Sequence, residues 1–278
     1  MKINDQIHLI KYPFEIPVAP DKKITRFVNI FAILGKNIHL IDTGVADSFS
    51  VIEAYLTNQG RDSKEVASIL LTHSHPDHIG SAKKFKEISG CKVYAHPAEK
   101  HWIEDVDLQF SQRPVPGFQK MVGGSVKVDQ EITDNSFIHL EDDLKLRCIH
   151  TPGHSAGSVC FYFENEKILI SGDAILLPGE IPIFENVNDY LNSLEKIRKL
   201  KPQQILSAWD EPRKANEIKE LLQKSESYIL HIQKTAKQVA KKSGDTSSME
   251  FCKQVVSDLG LPEIIVNPLL LKSFQACI

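Results

Sequence analysis

The chain lacks most of the features that would assign it to a specialised class. No apolar run approaches the roughly 18 residues that a bilayer span requires, so no membrane association is expected. Cysteine is sparse: Cys91, Cys148, Cys160, Cys252 and Cys277 are odd in number and show no CxxC spacing. That argues against a disulfide framework and against a zinc ribbon, and leaves reduced thiols. There is no excess of positive charge either. With 33 Lys and Arg against 36 Asp and Glu, the net charge of -3 provides no broad basic surface, so no nucleic-acid partner is expected and a small-molecule substrate is. The opening stretch, Met1 to Pro20, carries charges and prolines where a secretory signal would need an apolar core, and a cytoplasmic location follows as an expectation. No internal repeat is visible.

What is present is an ordinary globular composition, 278 residues with 42% hydrophobic and 25% charged, enough to bury a core without covalent staples. From Ile3 to about Ile41, short β-branched and aromatic runs interrupted by Pro13, Pro17, Pro20 and Gly35 predict consecutive strands and turns, with a hairpin from Phe27 to Ile41 around Gly35-Lys36-Asn37. Phe49, Ile52 and Leu56 at helical spacing predict a helix ending near Gly60. Strands are expected at Ser68 to Leu71, Lys92 to Ala95, Leu144 to Ile149, Ser158 to Phe163, Lys167 to Ser171 and Gln204 to Leu206, with a helix from Tyr190 to Leu200. Residues 100–126 mix aromatics with Pro114, Pro116, Gly117, Gly123 and Gly124 and predict an irregular lid. Beyond Pro212, Ile218, Leu221, Leu222, Ile229, Ile232, Ala236 and Val239 make an amphipathic helix. A second helix over Met249 to Leu259 and a proline-interrupted apolar tail follow. The apolar stripe serves helix packing or a homodimer contact through these C-terminal helices.

The strongest local signal is His73-Ser74-His75-Pro76-Asp77-His78 at the end of a predicted strand. In extended chain, residues two apart point the same way, so His73 and His75 can grip one ion while Asp77 and His78, past the turn, reach another. A core could not cheaply bury so many polar groups without an ion. Two further segments meet the same need: His154 on the glycine-bounded turn Thr151-Pro152-Gly153-His154, and Asp173 after the strand ending Ile170-Ser171-Gly172. Asp42, in Ile41-Asp42-Thr43-Gly44, is a third strand-end carboxylate. Ser155 and Ser158 are read as turn hydroxyls and not as nucleophiles. His150 ends a strand as a packed residue or a support for a ligand, and His8, His39, His139 and His231 show no ligand spacing, whereas His96 ends a strand where a substrate could sit.

These motifs resemble those of the metallo-β-lactamase-fold hydrolase superfamily, whose HxHxDH hallmark stands here as His73 to His78, and the likeness covers most of residues 20–210. The resemblance implies an α/β fold, a four-layer αβ/βα sandwich with metals in the cleft at the sheet edges. It divides the chain into a catalytic domain, 1–211, and a helical C-terminal appendage, 212–278. It also implies that His73, His75 and His154 bind one metal, Asp77 and His78 a second, that Asp173 bridges them, and that Asp42 orients ligands by hydrogen bonding. Zinc is the expected cofactor, one or two ions per chain, with iron or manganese left open. Divalent ions sharing a water lower its pKa towards neutrality and polarise the bond under attack. Asp77 is then the catalytic group that takes or relays the proton.

The sequence departs from the family pattern at one point. Members carry a final histidine after the last core strand, and here the segment reads Ser207-Ala208-Trp209-Asp210-Glu211-Pro212. Either Asp210 supplies the missing ligand, or water does, or the second site is weak and one metal serves. The leading function is hydrolysis of a small ester-like bond by a metal-bound hydroxide, thioesters or lactones first, as in the glyoxalase II and lactonase branches. The alternatives are an iron-dependent persulfide dioxygenase-like oxidoreductase, a phosphodiesterase of the same superfamily, and a metal-binding protein without catalysis. The retained Asp77 and Asp173 argue against the last.

Overall fold

The computed structural model describes residues 1–19 and 22–278. Among the described residues, twelve strands and ten α-helices follow one another along the chain. The first sheet runs β1 (Ile7–Ala19), β2 (Lys22–Leu34), β3 (Ile38–Ile41), β4 (Val66–Leu70), β5 (Lys92–Ala95) and β6 (Gln130–Glu131), each beside the next. The second runs β12 (Arg213–Lys214), β11 (Gln204–Ser207), β10 (Ile168–Gly172), β9 (Val159–Phe163), β8 (Leu144–His150) and β7 (Phe137–Glu141). β3, β4 and β5 are mutually parallel, and β10 is parallel to β11. Because β8 and β10 are both antiparallel to β9, the carboxyl ends of β8, β10 and β11 share one edge of the second sheet, as those of β3, β4 and β5 share one edge of the first.

Period-two alternation explains the layering. Leu9, Phe31, Ile33, Ile41 and Leu70 of the first sheet pack against Leu146, Phe161, Phe163, Ile170 and Leu206 of the second. The alternate residues of the first sheet, Ile30, Leu40 and Ile69, turn outwards to α1 (Ser48–Asn58) through Ile52 and Leu56 and to α3 (Ala82–Ser89) through Phe85. Those of the second, Cys160, Tyr162 and Leu169, meet α7 (Val187–Leu200) through Leu194 and Ile197. Strands buried on both faces read as nearly continuous apolar runs, and the result is the expected four-layer αβ/βα sandwich.

The C-terminal helices α8 (Ala215–Ser243), α9 (Met249–Asp258) and α10 (Pro268–Gln275) extend the outer layer over α7 and join its core. The apolar stripe of α8 is buried within the chain, from Ile218 to Val239. Lys241 and Lys242 lie in its last turn and Gly244, at φ 69°, ends it, the usual chemistry of a helix C-terminus.

Two expectations need correction. Pro13 and Pro17 do not break the first strand: β1 runs through both, because it is the sheet's outermost strand and a proline there need forfeit no ladder hydrogen bond. Pro20 lies outside the described residues. The segment expected to be irregular carries α4 (Pro97–Glu104), α5 (Val106–Gln112) and α6 (Phe118–Met121), helices too short for their periodicity to register in sequence. The proline-interrupted tail ends in α10, with Pro268 at its first turn and Asn267 accepting from the amides of Leu269 and Leu270. Among the described residues no helix is long and apolar enough to cross a membrane.

Phe161 lies between the sheets with none of its surface exposed, whereas Phe137 is 47% exposed. Phe161→Ala should lower the unfolding free energy by about 3–5 kcal/mol, and Phe137→Ala by less than about 0.5 kcal/mol. Urea titration of the two variants checks the contrast.

Candidate metal centre

Every predicted ligand leaves the carboxyl end of a strand at the shared edge. β4 runs out at Leu70 and delivers His73 and His75, after which Pro76 opens the one-turn helix α2 (Pro76–Ile79) that carries Asp77 and His78. His154 follows β8, and Asp173 follows β10. Four of these residues, His73, His75, His154 and Asp173, offer ligand atoms all within 4.8 Å of one another. His154 Nε2 lies 2.8 Å from His75 Nδ1 and 3.3 Å from Asp173 Oδ2. His78 Nε2 stands beside them, 3.2 Å from Asp173 Oδ1 and 3.9 Å from Asp77 Oδ2.

The rings are aimed by their other nitrogens. His154 Nδ1 donates to the Ile183 carbonyl at 2.8 Å, which leaves Nε2 as the lone pair facing the cluster. His78 Nδ1 meets Asp42 Oδ2 at 2.8 Å. Asp42 also accepts from the amide and hydroxyl of Thr72 at 2.8 and 2.7 Å. Its backbone sits at φ 57°, a left-handed conformation that costs on the order of 1 kcal/mol for a non-glycine residue and that these three bonds offset. Gly153 sets the other turn: its φ is 128°, and a Cβ there would come within 2.4 Å of the Tyr190 backbone.

The electrostatics favour ligand chemistry. Burial holds His73 and His75 well below the ordinary imidazole value, reinforced by the nearby positive charge of His78 for the first and of Arg113 for the second. Burial also lowers His154, against the pull of Asp173. These are the neutral forms that coordinate metal. For His78 the burial penalty is outweighed by Asp173, Asp42 and Asp77, so its pKa is raised. Nε2 of His73, of His75 and of His78 and Oδ1 of Asp173 are buried without a hydrogen-bond partner. His78 Nε2 and Asp173 Oδ1 face each other at 3.2 Å, whereas Nε2 of His73 and of His75 have no such neighbour; orphaned imidazole nitrogens are costly in a purely structural cluster, and the donor set of imidazoles and carboxylates fits zinc or another divalent transition ion.

Asp210, expected as a candidate ligand, is not brought into the cluster. Its two carboxylate oxygens are taken by Arg213 Nε and Nη2 at 2.7 and 2.8 Å. Trp209 instead forms part of the wall of a cavity of about 200 Å³ that opens onto His75, Asp77, His154 and Asp173. Its ring lies under the Arg26 guanidinium, 4.3 Å from ring centre to Cζ. His96 is a helix cap, its Nδ1 accepting from the Ala98 amide, and its ring stacks on His150 at 4.3 Å. Ser155 and Ser158 bond to each other at 2.7 Å as turn hydroxyls.

Two residues that no motif announced are built into the site. Glu99, on α4 and 2% exposed, joins the two ligand turns. Its Oε1 accepts from Ser155 Oγ and the Gly157 amide, both at 2.7 Å, and its Oε2 from the amide and hydroxyl of Ser74. Arg113, closing α5, faces the cavity. Neither has a local signature, because each acts through a contact distant in sequence.

Residues 25–207 match the family model of the metallo-beta-lactamase superfamily. The chain is similar to the beta-lactamase-like protein 2 homolog of Drosophila melanogaster, 32% identical over 204 residues that cover 72% of this chain and 62% of that protein. It is also similar to a hydroxyacylglutathione hydrolase of Pelagibacter ubique, 34% identical over 133 residues, 48% of this chain and 46% of that one. The chain thus spans about three fifths of the first and under half of the second. A solved metallo-beta-lactamase family protein from Thermus thermophilus is similar in fold over 99% of this chain and 93% of its own, with a TM-score of 0.76 at 20% identity. That likeness in fold reaches through the C-terminal helices.

Glu99→Gln sets an amide donor against groups that are themselves donors, and should weaken metal binding by about 10- to 100-fold. Competition with a chromophoric chelator checks it, with circular dichroism to establish that the variant is folded. Glu180, on the cavity wall, is pushed by burial up to about 7, against its bond from the Leu177 amide and the charge of Arg26, with Asp173 and Asp210 reinforcing the rise. Its folded pKa is raised above the ordinary value of 4.5. The stability it contributes is therefore present below pH 4.5 and lost as pH rises through about 7. Between about pH 5 and 8.5 the wild type should lose roughly 2–3 kcal/mol relative to Glu180→Gln, measurable by denaturant titration at each pH.

Proposed function

The chain belongs to the metallo-beta-lactamase superfamily, whose members are hydrolytic enzymes, and we propose that it cleaves a small ester-like bond, thioesters and lactones first, at a dinuclear zinc centre. The observation that carries this reading is the convergence of ligand atoms of His73, His75, His154 and Asp173 within 4.8 Å of one another, with His73 Nε2 buried there and without a hydrogen-bond partner. In this reading His73, His75 and His154 hold one ion, Asp77 and His78 the other, and Asp173 lies between. With Trp209 in place of a final histidine and Asp210 engaged by Arg213, solvent completes the second set. The likeness to a hydroxyacylglutathione hydrolase over part of the chain supports a thioester.

Two bound divalent ions would supply an acidified water and polarisation of the scissile carbonyl. The chain's own residues do the rest. Asp42 and the Ile183 carbonyl fix the tautomers of His78 and His154. Asp77, which lies beside His78 and borders the cavity, is the carboxylate placed to accept the proton of the attacking water and hand it to the leaving group. The metal ligands all precede residue 212, and the helices beyond it add cavity wall through Ile265 and Leu269. We therefore divide the chain into a catalytic part, 1–211, and a helical appendage, 212–278, that shapes the cavity. The five cysteines are free and buried, with burial pushing Cys148, Cys160 and Cys277 up to about 12; on that ground we assign the protein to the reducing cytoplasm.

Protein purified without chelators should carry about two zinc ions per chain by elemental analysis and lose thioester or lactone turnover when they are removed. Asp210→Ala should leave the metal content unchanged. Asp77→Asn should lower kcat by about 10²- to 10⁴-fold in a protein that still melts cooperatively. Predominant iron, or turnover indifferent to chelation, would overturn the reading.

A further inference from the structure

The cavity beside the metal centre is largely apolar, with Ile16, Ile24, Leu176, Ile183, Ile265 and Leu269 among its walls. Into it projects a cation with no mate. Arg113 is 9% exposed. Its backbone amide donates to the Gln109 carbonyl at 2.8 Å, and Pro114 follows, so the chain direction is set where the side chain leaves α5. Yet no hydrogen bond to its guanidinium and no carboxylate within ion-pairing distance is found among the described residues. Elsewhere in the same molecule an arginine that serves structure takes its carboxylate fully, as Arg213 takes Asp210. Arg26, the other arginine at this cavity, is occupied by the face of Trp209.

Among the described residues no protein group takes up the donors of the Arg113 guanidinium, which are left to whatever occupies the cavity. Its planar fork of donors matches an oxyanion that can accept two parallel bonds. The nearest acidic groups, Asp77, Glu185, Glu99 and Asp173, act on Arg113 only through space. They oppose the effect of burial, which lowers its pKa, and so favour its charged form.

We propose that Arg113 is the anchor for a carboxylate carried by the substrate itself, close to the bond that is cleaved, while the substrate's apolar remainder occupies the cavity walled by Leu176, Ile183 and Leu269. The preferred substrate is then an acidic amphiphile, such as the monoester or monothioester of a dicarboxylic acid, and a neutral ester of equal length is disfavoured. The identification of that substrate's scissile bond rests on the hydrolytic reading above; the carboxylate site does not.

The test separates the two. In metal-loaded Trp102→Phe protein, Trp209 on the cavity wall reports binding by its fluorescence, and hexanoate is compared with hexanamide, its neutral isostere. Hexanoate should bind more tightly than hexanamide, and Arg113→Gln should weaken hexanoate by about 10- to 100-fold while leaving hexanamide within about threefold, which also shows that the variant's cavity is intact. Arg113→Lys, with charge but no fork, should fall between. Hexanoate binding unchanged in Arg113→Gln, or no preference over hexanamide in the parent, would overturn the proposal. Hexyl phosphate binding tenfold tighter than hexanoate would overturn the choice of a carboxylate. In turnover, kcat/KM for a dicarboxylic monoester should fall in Arg113→Gln with a matched neutral ester unaffected. Equal loss on both would mean that Arg113 acts on the reacting carbonyl, and would overturn the anchor. Arg113-dependent hexanoate binding in a protein that hydrolyses no ester would leave the anchor standing and remove the hydrolytic reading.

Discussion

Three imidazoles and a carboxylate must be kept within 4.8 Å of one another at the largely buried end of a cavity, and much of the architecture answers to that requirement. Side chains that would repel or pair with each other elsewhere need their backbones held before any ion arrives. Strand ends do this: β4, β8 and β10 are locked by neighbours on both sides, and each releases a ligand within four residues of its last ladder bond. The turns that follow are then tied together. Glu99 spans Ser74 and Ser155, and Asp42 spans Thr72 and His78. Two carboxylates thus convert separate loops into one frame.

The parts of this arrangement that could be read from sequence are those written in a short stretch of chain. The run from His73 to His78 places its donors by strand and turn geometry alone, and the apolar alternation of Phe31, Ile33, Phe161 and Phe163 carries the layering. The parts that could not be read depend on partners far away. Asp210 resembles a free strand-end acid until Arg213 folds back onto it. Pro13 and Pro17 look like breaks because an outermost strand has no sequence mark. α4 to α6 are each eight residues or fewer, too short for a periodic stripe, so the segment holding Glu99 and Arg113 carried no legible structure. Their chemistry lies in the fold, where one faces two turns and the other a cavity.

The cavity itself is assembled from pieces with separate origins. The first sheet supplies Ile16 and Ile24, the loop after β10 supplies Leu176 and Ile183, α5 ends in Arg113, and the C-terminal region brings Ile265 and Leu269. The second sheet and its helices share a continuous core with that last region. The metal end is polar, while the wall contributed by Ile264 to Leu269 is mainly apolar and comes from a region that carries no ligand.

That separation bears on how such a chain diversifies. The short stretch from Ile264 to Leu269 borders the cavity, yet it is joined to the ligand loops by no shared turn and lies some ninety residues beyond Asp173 along the chain. Exchanging a few side chains there resizes the chamber and leaves the frame that holds the ions untouched. On the proposed reading the appended helices are a die set against a fixed press: the shape of what enters can change while the residues that would hold the ions stay as they are.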